Sequence, residues 1–560
     1  MKKSILTAAL LFLMASAFCQ NTLPFTKGID MLTYFEVWVP GQLPNLNKHT
    51  EADFASLKSM GVDVIRLPVH FDLLMEPYDT GIIYDFVLDK LDQVCDWAEK
   101  YQIYLVIDDH SFNTEEYDHN PPSVKLYQEH LKSVWSQIAS RYCNRSKYII
   151  YEIINEPKSH GEILKKWIKL QQEIIDLIRT YDPERDIVVT SADFSSIDGL
   201  VKMKPYKDPN LIYTFHFYEP HIFTHQGATW VGKEMMDLEG LPFPYDKKRL
   251  PELKGNAKDS WVQWQIENEY QQTGTAKYLN SRMKKAADWA KKNNVRVWCG
   301  EIGAKTWINK EDRIAWIKAT VEALNANNIP YCTWGIDGTD GFLTSDKAGL
   351  IFPDDIDKDV LEAYGFTMPD AKLAASAGLN VTPQKPYVIY DGLLGLGAGK
   401  NIWGNAKETK DDSSHKYCLS VSYPGQWNGS RFSLPKKVTS TIAKSQQAYS
   451  VCFAVKFTAK NQEFKLYLRD SDKGEKGLPW RKSYTIKAAD YSVGKWVSVE
   501  IPVSRFADID GAFSEVTKQW HDLPCKFDWS RFEELYFDFD DPDNKLAGNI
   551  YIDDIMIKRK

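Results

Sequence analysis

Between residues 27 and 366, short apolar runs alternate with stretches in which apolar residues recur every three or four positions. The first pattern is that of strands, the second that of helices with one buried face. Strands are predicted at Gly28–Phe35, Val62–His70, Ile103–His110, Tyr148–Asn155, Ile187–Ser191, Leu211–Tyr218, Val295–Gly303 and Ile329–Asp337. Helices are predicted at Glu51–Met60, Phe86–Tyr101, Val124–Tyr142, Ile163–Arg179, Ala276–Asn293 and Arg313–Ala326, with Thr50 placed to cap the first and Gly61 to close it. Several strands are apolar at successive positions, as in a parallel sheet covered on both faces. Eight strands alternating with helices predict a (β/α)8 TIM barrel with insertions. The longest insertion, Glu219 to about Ser260, is rich in aromatic, proline and charged residues. It reads as a loop over the active face or as a decorated connection.

After Phe366 the pattern changes. Thr367–Pro386 carries Pro, Ala, Ser and Gly and reads as a linker. Beyond it lie only short strand-like runs, at Tyr387–Tyr390, Tyr417–Tyr423, Tyr449–Phe457, Phe464–Arg469, Trp496–Pro502, Glu534–Phe539 and Ile550–Ile557, with no helical run expected between them. Turn residues at that spacing predict an all-β sandwich of the jelly-roll type. At the other end, Lys2 and Lys3 precede an apolar stretch, Ile5–Phe18, too short to cross a bilayer, and Ala15-Ser16-Ala17 supplies small residues for cleavage. The expected organisation is a secretory signal over 1–20, a barrel domain over 21–366, a linker over 367–386 and a sandwich over 387–560. Cys19 leaves a lipoprotein signal as the lesser alternative, and no later apolar run is long enough for a transmembrane helix. An exported protein without a transmembrane segment, and a monomer, is expected.

Composition narrows the partners. Lys+Arg number 69 against 76 Asp+Glu, a formal net charge of −7, without a long basic run. That argues against nucleic acid and against a polybasic contact with membranes. Aromatic residues make up 13%, with 18 Trp, and flat rings serve both core packing and stacking on sugars. The 8 cysteines are scattered, with no CxxC pair and no zinc-ligand spacing. A disulfide scaffold is excluded, though a single disulfide remains open.

Barrel enzymes work at the C-terminal ends of their strands, so polar residues there carry the chemistry. The fourth strand runs into Asn155-Glu156-Pro157 and the seventh into Glu301-Ile302-Gly303. Two glutamates on opposite sides of one barrel mouth are the parts needed to cleave a glycosidic bond. An ionisable residue ending an apolar strand is costly unless used. Other strands carry Arg66-Leu67-Pro68, Asp108-Asp109-His110, His216-Phe217-Tyr218 and Trp334. Taken singly, Arg66 could pair with a structural carboxylate, His110 or His216 could be a satisfied buried imidazole, and Trp334 could be core.

The ordered set resembles glycoside hydrolase family 5, the cellulase-like family of clan A, over nearly all of Lys27–Phe366. The resemblance implies Glu156 as acid/base and Glu301 as nucleophile. It implies that Asn155 contacts the sugar 2-hydroxyl, that Arg66 and Tyr218 hold the nucleophile, that His110 and His216 line the cleavage subsite and that Trp334 is the platform beneath the sugar. Arg66 is then expected to keep Glu301 ionised, while burial and Glu301 raise Glu156. Ile302 departs from the aromatic usual after the nucleophile, as does the acidic pair before His110. Tyr34, Phe35, Trp38, Tyr218, Trp230 and Trp307 are candidates for extending the cleft, or are ordinary packing.

The C-terminal segment resembles jelly-roll carbohydrate-binding modules through Ala547-Gly548-Asn549, the strand Ile550-Tyr551-Ile552-Asp553-Asp554-Ile555 and Tyr390-Asp391-Gly392. Trp403, Trp427, Tyr467, Trp480 and Trp520 are candidate sugar platforms or core. Asp391 and Asp553 are oxygen donors suited to a structural calcium, or plain turn carboxylates. The function expected is a retaining, endo-acting β-glycanase that hydrolyses a plant-type β-glucan without metal or organic cofactor. β-Mannanase, xyloglucanase and exo-β-glucosidase are the enzyme alternatives. A non-catalytic glycan-binding protein is the alternative of another class.

Overall fold

The computed structural model describes residues 22–112, 122–157, 161–343, 352–353, 355–374, 381, 386–410, 415, 417–422, 427–471, 481–509, 512–514, 517–521, 527–541, 543 and 545–560. The expected signal segment, Trp480, Cys525 and half of the expected linker fall outside those residues. Two compact units emerge, one of residues 1–38, 51–346 and 356–373, the other of residues 39–50, 347–355 and 374–560.

The first unit is a closed, all-parallel barrel. Its strands are β1 (Lys27–Asp30), β2 (Val64–Val69), β3 (Tyr104–Asp109), β4 (Ile149–Glu152), β5 (Ile187–Thr190), β6 (Leu211–Phe217), β7 (Arg296–Ile302) and β8 (Tyr331–Thr333), each paired with its sequence neighbours and β8 with β1. Around it lie α1 (Glu51–Ser59), α2 (Asp85–Tyr101), α3 (Val124–Tyr142), α4 (Gly161–Tyr181), α5 (Ala276–Asn293) and α6 (Lys310–Ala326). Gly61 follows α1 at φ +90°, where a side chain is strained, so the sequence fixes the turn from helix to strand. Three helix tryptophans reach through to the strand ends. Trp135 of α3 donates to Ile153 O (2.9 Å), Trp167 of α4 to Thr190 O (2.8 Å) and Trp316 of α6 to Glu219 O (3.0 Å). Each fully buried indole thus satisfies a carbonyl where the chain leaves the barrel and pins the loop that follows.

The inserted segment from Glu219 forms one-turn helices at His221–Thr224 and Lys233–Met236. The linker boundary needs correction, because residues 356–373 belong to the barrel unit. Thr367 N donates to Met60 O (3.1 Å) and Asp370 N to Ser59 Oγ (3.1 Å), which ties the start of the expected linker to the end of α1.

The second unit is all-β apart from short helices. One sheet runs β11 (Ala406–Lys410), β12 (Tyr417–Ser422), β20 (Asn549–Arg559), β14 (Tyr449–Phe457), β17 (Trp496–Pro502), with β9 (Tyr387–Tyr390) also on β20. The other runs β10 (Gly399–Trp403), β13 (Gly429–Ser433), β19 (Phe532–Asp538), β15 (Glu463–Asp470), β16 (Arg481–Lys487), β18 (Ala507–Asp508). Both sheets are antiparallel and turn alternate residues, among them Val451, Val455, Ile552, Phe432, Leu466 and Phe537, into one shared core. A helix not expected from the sequence, α7 (Lys436–Ala443), follows Pro435 and buries Val438 and Ile442. No helix among the described residues is long and apolar enough to cross a membrane. The six cysteines among them are free thiols.

Candidate active site

Strand alternation builds the site from below. Val64, Val106, Ile150, Val188, Ile212, Trp298 and Cys332 form a buried apolar layer across the barrel interior. Two residues further along, the period of a strand returns Arg66, Asp108, Glu152, Thr190 and Thr214 to the same face, all of them buried. β7 breaks this rhythm. Phe215 and His216 of β6 face Cys299 and Glu301, and Tyr331 and Thr333 of β8 face Cys299 and Ile302. One extra residue, Gly300, therefore stands in β7 relative to both neighbours, and the bulge turns Glu301 inward where strict alternation would turn it out. A Cβ at Gly300 would lie 2.7 Å from Thr214 Oγ1 and 3.1 Å from His216 Nε2, so any side chain there forces Thr214, His216 or the strand itself to shift.

Arg66 is the hub of the polar layer. Its fully buried guanidinium lies 3.3 Å from Asp30, 3.0 Å from Asp108, 2.7 Å from Glu152 and 2.8 Å from Glu301. Arg66 Nη2 also donates to Asn155 Oδ1 (3.0 Å), which leaves the Asn155 amide NH2 as a donor toward a ligand. Burial pushes Asp30, Asp108 and Glu152 above the ordinary carboxylate range, against the pull of Arg66.

His216 stands between the two glutamates. Its Nδ1 lies 2.7 Å from Glu156 Oε1 and 3.3 Å from Glu301 Oε2, and one donor atom of each of the three residues falls within 4.8 Å of the others. Burial lowers His216 to about 4, so the imidazole is neutral near pH 7. Tyr218 donates to Glu301 Oε2 (2.7 Å), and its hydroxyl is itself pushed far up by burial and by Glu301. Glu301 is raised, first by burial and then by Glu156, with His216, Arg66 and the Tyr218 hydrogen bond opposing. The single guanidinium expected to hold Glu301 low is shared among four carboxylates, which is why burial wins. Glu156 sits at φ +30°, a strained backbone for a residue with a side chain, between Asn155 and Pro157.

His110 closes the other wall. Its Nδ1 lies 2.6 Å from Asp108 Oδ2 and its ring stacks on half-buried Trp334 (centroids 5.6 Å, 24°). Trp334 N donates to Ile302 O (2.8 Å), which places the indole beside the end of β7. All eight residues singled out in the sequence thus line one mouth. The flanking aromatics divide: Tyr34 and Phe35 are core, whereas Trp38, Trp230 and Trp307 are exposed. Trp307 donates to Gln226 O (2.7 Å), and Lys305 Nζ lies 4.9 Å over Trp230 while pairing with buried Asp340 (2.5 Å). Asp30 and Glu152 were missed as partners of Arg66, although each is a lone carboxylate in an apolar run, the signal used for Glu156 and Glu301.

In the second unit, Asp553 meets His415 (2.7 Å) and Asp554, and Asp391 is not among the donors gathered there. Among its aromatics Tyr467 is buried, Trp403 half-buried, and Trp427 and Trp520 exposed.

Comparison with known proteins converges on the barrel. Residues 26–340 match the family described as Cellulase (glycosyl hydrolase family 5). Endoglucanase 3 of Fibrobacter succinogenes is 31% identical over 317 residues, covering 53% of this chain and 47% of that protein. Endoglucanase C of Acetivibrio thermocellus is 26% identical over 294 residues, 51% of this chain and 83% of its own length. The crystal structure of endoglucanase Cel5A from Thermotoga maritima shares 24% identity and a TM-score of 0.49 over 60% of this chain and 96% of that one. With more than half of its length matched, this chain belongs to glycosyl hydrolase family 5 and is a glycoside hydrolase.

Proposed function

We propose that the barrel cleaves internal β-1,4 bonds of a β-glucan with retention at the anomeric carbon. Glu301 attacks that carbon while Glu156 gives its proton to the departing glycosidic oxygen. A water then displaces Glu301, and Glu156 takes the water's proton. Asn155 holds the sugar 2-hydroxyl, Arg66 and Tyr218 hold Glu301, His110 and His216 line the cleavage subsite, and Trp334 carries the sugar face. The observation behind this is the approach of the two carboxylates, with oxygens within 4.8 Å of each other. So close an approach favours the ~5–5.5 Å separation of retaining pairs over the ~6.5–9.5 Å that leaves an inverting pair room for its water. The scheme uses carboxyl groups alone and calls for no cofactor. The endoglucanase names of the relatives favour β-glucan over mannan, xyloglucan or an exo-acting role.

Residues 1–20 are read as an export signal. The sandwich is read as a glycan-binding module. Trp403 and Tyr536 lie side by side on β10 and β19 (centroids 5.4 Å), on the face opposite the shared core, with buried Tyr467 of β15 stacked behind Tyr536 and covered by Arg481. A Cβ at Gly429 would strike the Trp403 and Tyr536 rings (2.5 and 2.8 Å), so this glycine makes room for the platform. Trp427 is 66% exposed at φ +65°, an expensive placement for an indole without a ligand.

Hydrolysis of a panel of β-glucan, mannan, xylan and xyloglucan, with NMR of the first-formed anomer, tests the enzyme reading. A first product of inverted configuration defeats retention, and release from mannan alone defeats the β-glucan assignment.

A further inference from the structure

The polar layer poses a problem of charge. One guanidinium, Arg66, faces four carboxylates, all nearly or wholly removed from water. Four anions around one cation in that setting are not tolerated together, because an uncompensated buried charge is neutralised by proton uptake. The geometry indicates where a proton goes. Glu152 accepts two hydrogen bonds from Arg66, at 2.7 and 3.0 Å. Glu301 accepts from Arg66 Nη1 (2.8 Å) and from Tyr218 (2.7 Å). Asp108 Oδ2 meets Arg66 Nη2 (3.0 Å) and His110 Nδ1 (2.6 Å), although its Oδ1 is without a partner. Asp30 has a single long contact, 3.3 Å to Arg66 Nη1, and a buried Oδ2 with no partner. It is the carboxylate with the least support for a negative charge.

That contact is made to the same nitrogen that serves Glu301. An ionised Asp30 would draw Nη1 from the nucleophile and add a negative charge beside it, whereas a neutral Asp30 leaves Nη1 to Glu301. The other groups facing Asp30 offer no countercharge. They are Glu152 and Glu301, both acidic, and the thiols of Cys299 and Cys332, which burial keeps protonated. We propose that Asp30 is a buried, neutral carboxylic acid that acts as a positioning residue, reserving the Arg66 charge for the Glu301 carboxylate. This rests on the reading of Glu301 as nucleophile.

Infrared spectroscopy of the full-length enzyme near pH 7 tests it directly. The expected result is a protonated-carboxyl C=O band that persists as pH is raised through the ordinary carboxylate range and is lost in Asp30→Asn. Absence of such a band in the wild-type enzyme overturns the proposal even if the variant does not fold. The second readout is the pH profile of kcat/KM. An amide mimics a neutral acid, so Asp30→Asn is expected to leave the acid limb where it lies. Movement of that limb to lower pH by a tenfold or greater change in proton concentration shows that a negative charge was removed, and overturns the proposal. Failure of the nucleophile assignment is seen separately, by trapping a glycosyl-enzyme on a residue other than Glu301 while the Asp30 band remains.

Discussion

His216 Nδ1 lies 2.7 Å from Glu156 Oε1 and only 3.3 Å from Glu301 Oε2. A neutral imidazole in that place links the proposed acid and the proposed nucleophile through a single nitrogen, so the two glutamates are separable only by what the substrate demands of each. Glu301→Gln is expected to reduce kcat on the order of 10⁴-fold or more on every substrate. Glu156→Gln is expected to lose about 10²–10⁴-fold on polysaccharide but far less on an aryl glycoside with an acidic leaving group, which departs without a proton. Equal losses on both substrates with Glu156→Gln would contradict the division of roles.

Gly300 offers a test of the bulge. Alanine there places a methyl 2.7 Å from Thr214 Oγ1 and 3.1 Å from His216 Nε2, which forces β7 or His216 to move. Since Glu301 is the next residue, kcat should drop at least about 10²-fold, the scale of an ångström misplacement. KM should change little, because Trp334 and Asn155 follow other strands, β8 and β4. Steady-state kinetics beside a circular dichroism spectrum separate this from simple unfolding.

The pH dependence follows from burial. Glu301 lies above its ordinary pKa, and as the proposed nucleophile it must be ionised to attack, so activity should rise with pH and the acid limb of kcat/KM is expected above the usual glutamate value of about 4.3. Stability runs the other way. Asp30, Asp108 and Glu152 are raised in the folded protein, so the native state holds protons that the unfolded chain has released. Folding free energy from these groups is full below the unfolded carboxylate pKa and is lost as pH rises toward their folded values. Melting temperature measured across that window should fall, and should fall less steeply for Asp30→Asn.

Trp403→Ala and Trp427→Ala address the sandwich. In the full-length chain carrying Glu301→Gln, affinity electrophoresis in β-glucan gels should show reduced retardation for each. Trp427 is the cleaner site, since at 66% exposure its loss disturbs no core. Retardation unchanged by both variants would remove these rings from any glycan contact.

Much of the barrel was legible because buried parallel strands leave an unbroken apolar run, and all eight appear where such runs lie. The sandwich was less so. Gly399–Trp403, Ala406–Lys410, Gly429–Ser433 and Arg481–Lys487 went unseen as strands because glycine, lysine and serine leave little apolar alternation to read. Helix α7 escaped because eight residues after a proline carry too few turns to show a period. In the site, the motif residues came together, yet the register could not be foreseen. Counting by twos from Trp298 turns Glu301 outward, and only pairing with β6 and β8 shows the extra residue. The sharing of Arg66 among four carboxylates was hidden for a similar reason, as Asp30 and Glu152 lie on strands whose sequence says nothing of which neighbour they face.

The crowding of carboxylates around Arg66 also sets a conflict between durability and work. A raised pKa at Glu301 means that keeping it ionised at neutral pH costs the folded state free energy, so the residue proposed to make the barrel a catalyst also loosens it. Glu301→Gln should therefore yield an inert protein that melts at a higher temperature than its parent. Over generations, chance loss of catalysis at this position would be rewarded with a sturdier fold, and a lineage that keeps the glutamate does so under continuing selection for hydrolysis.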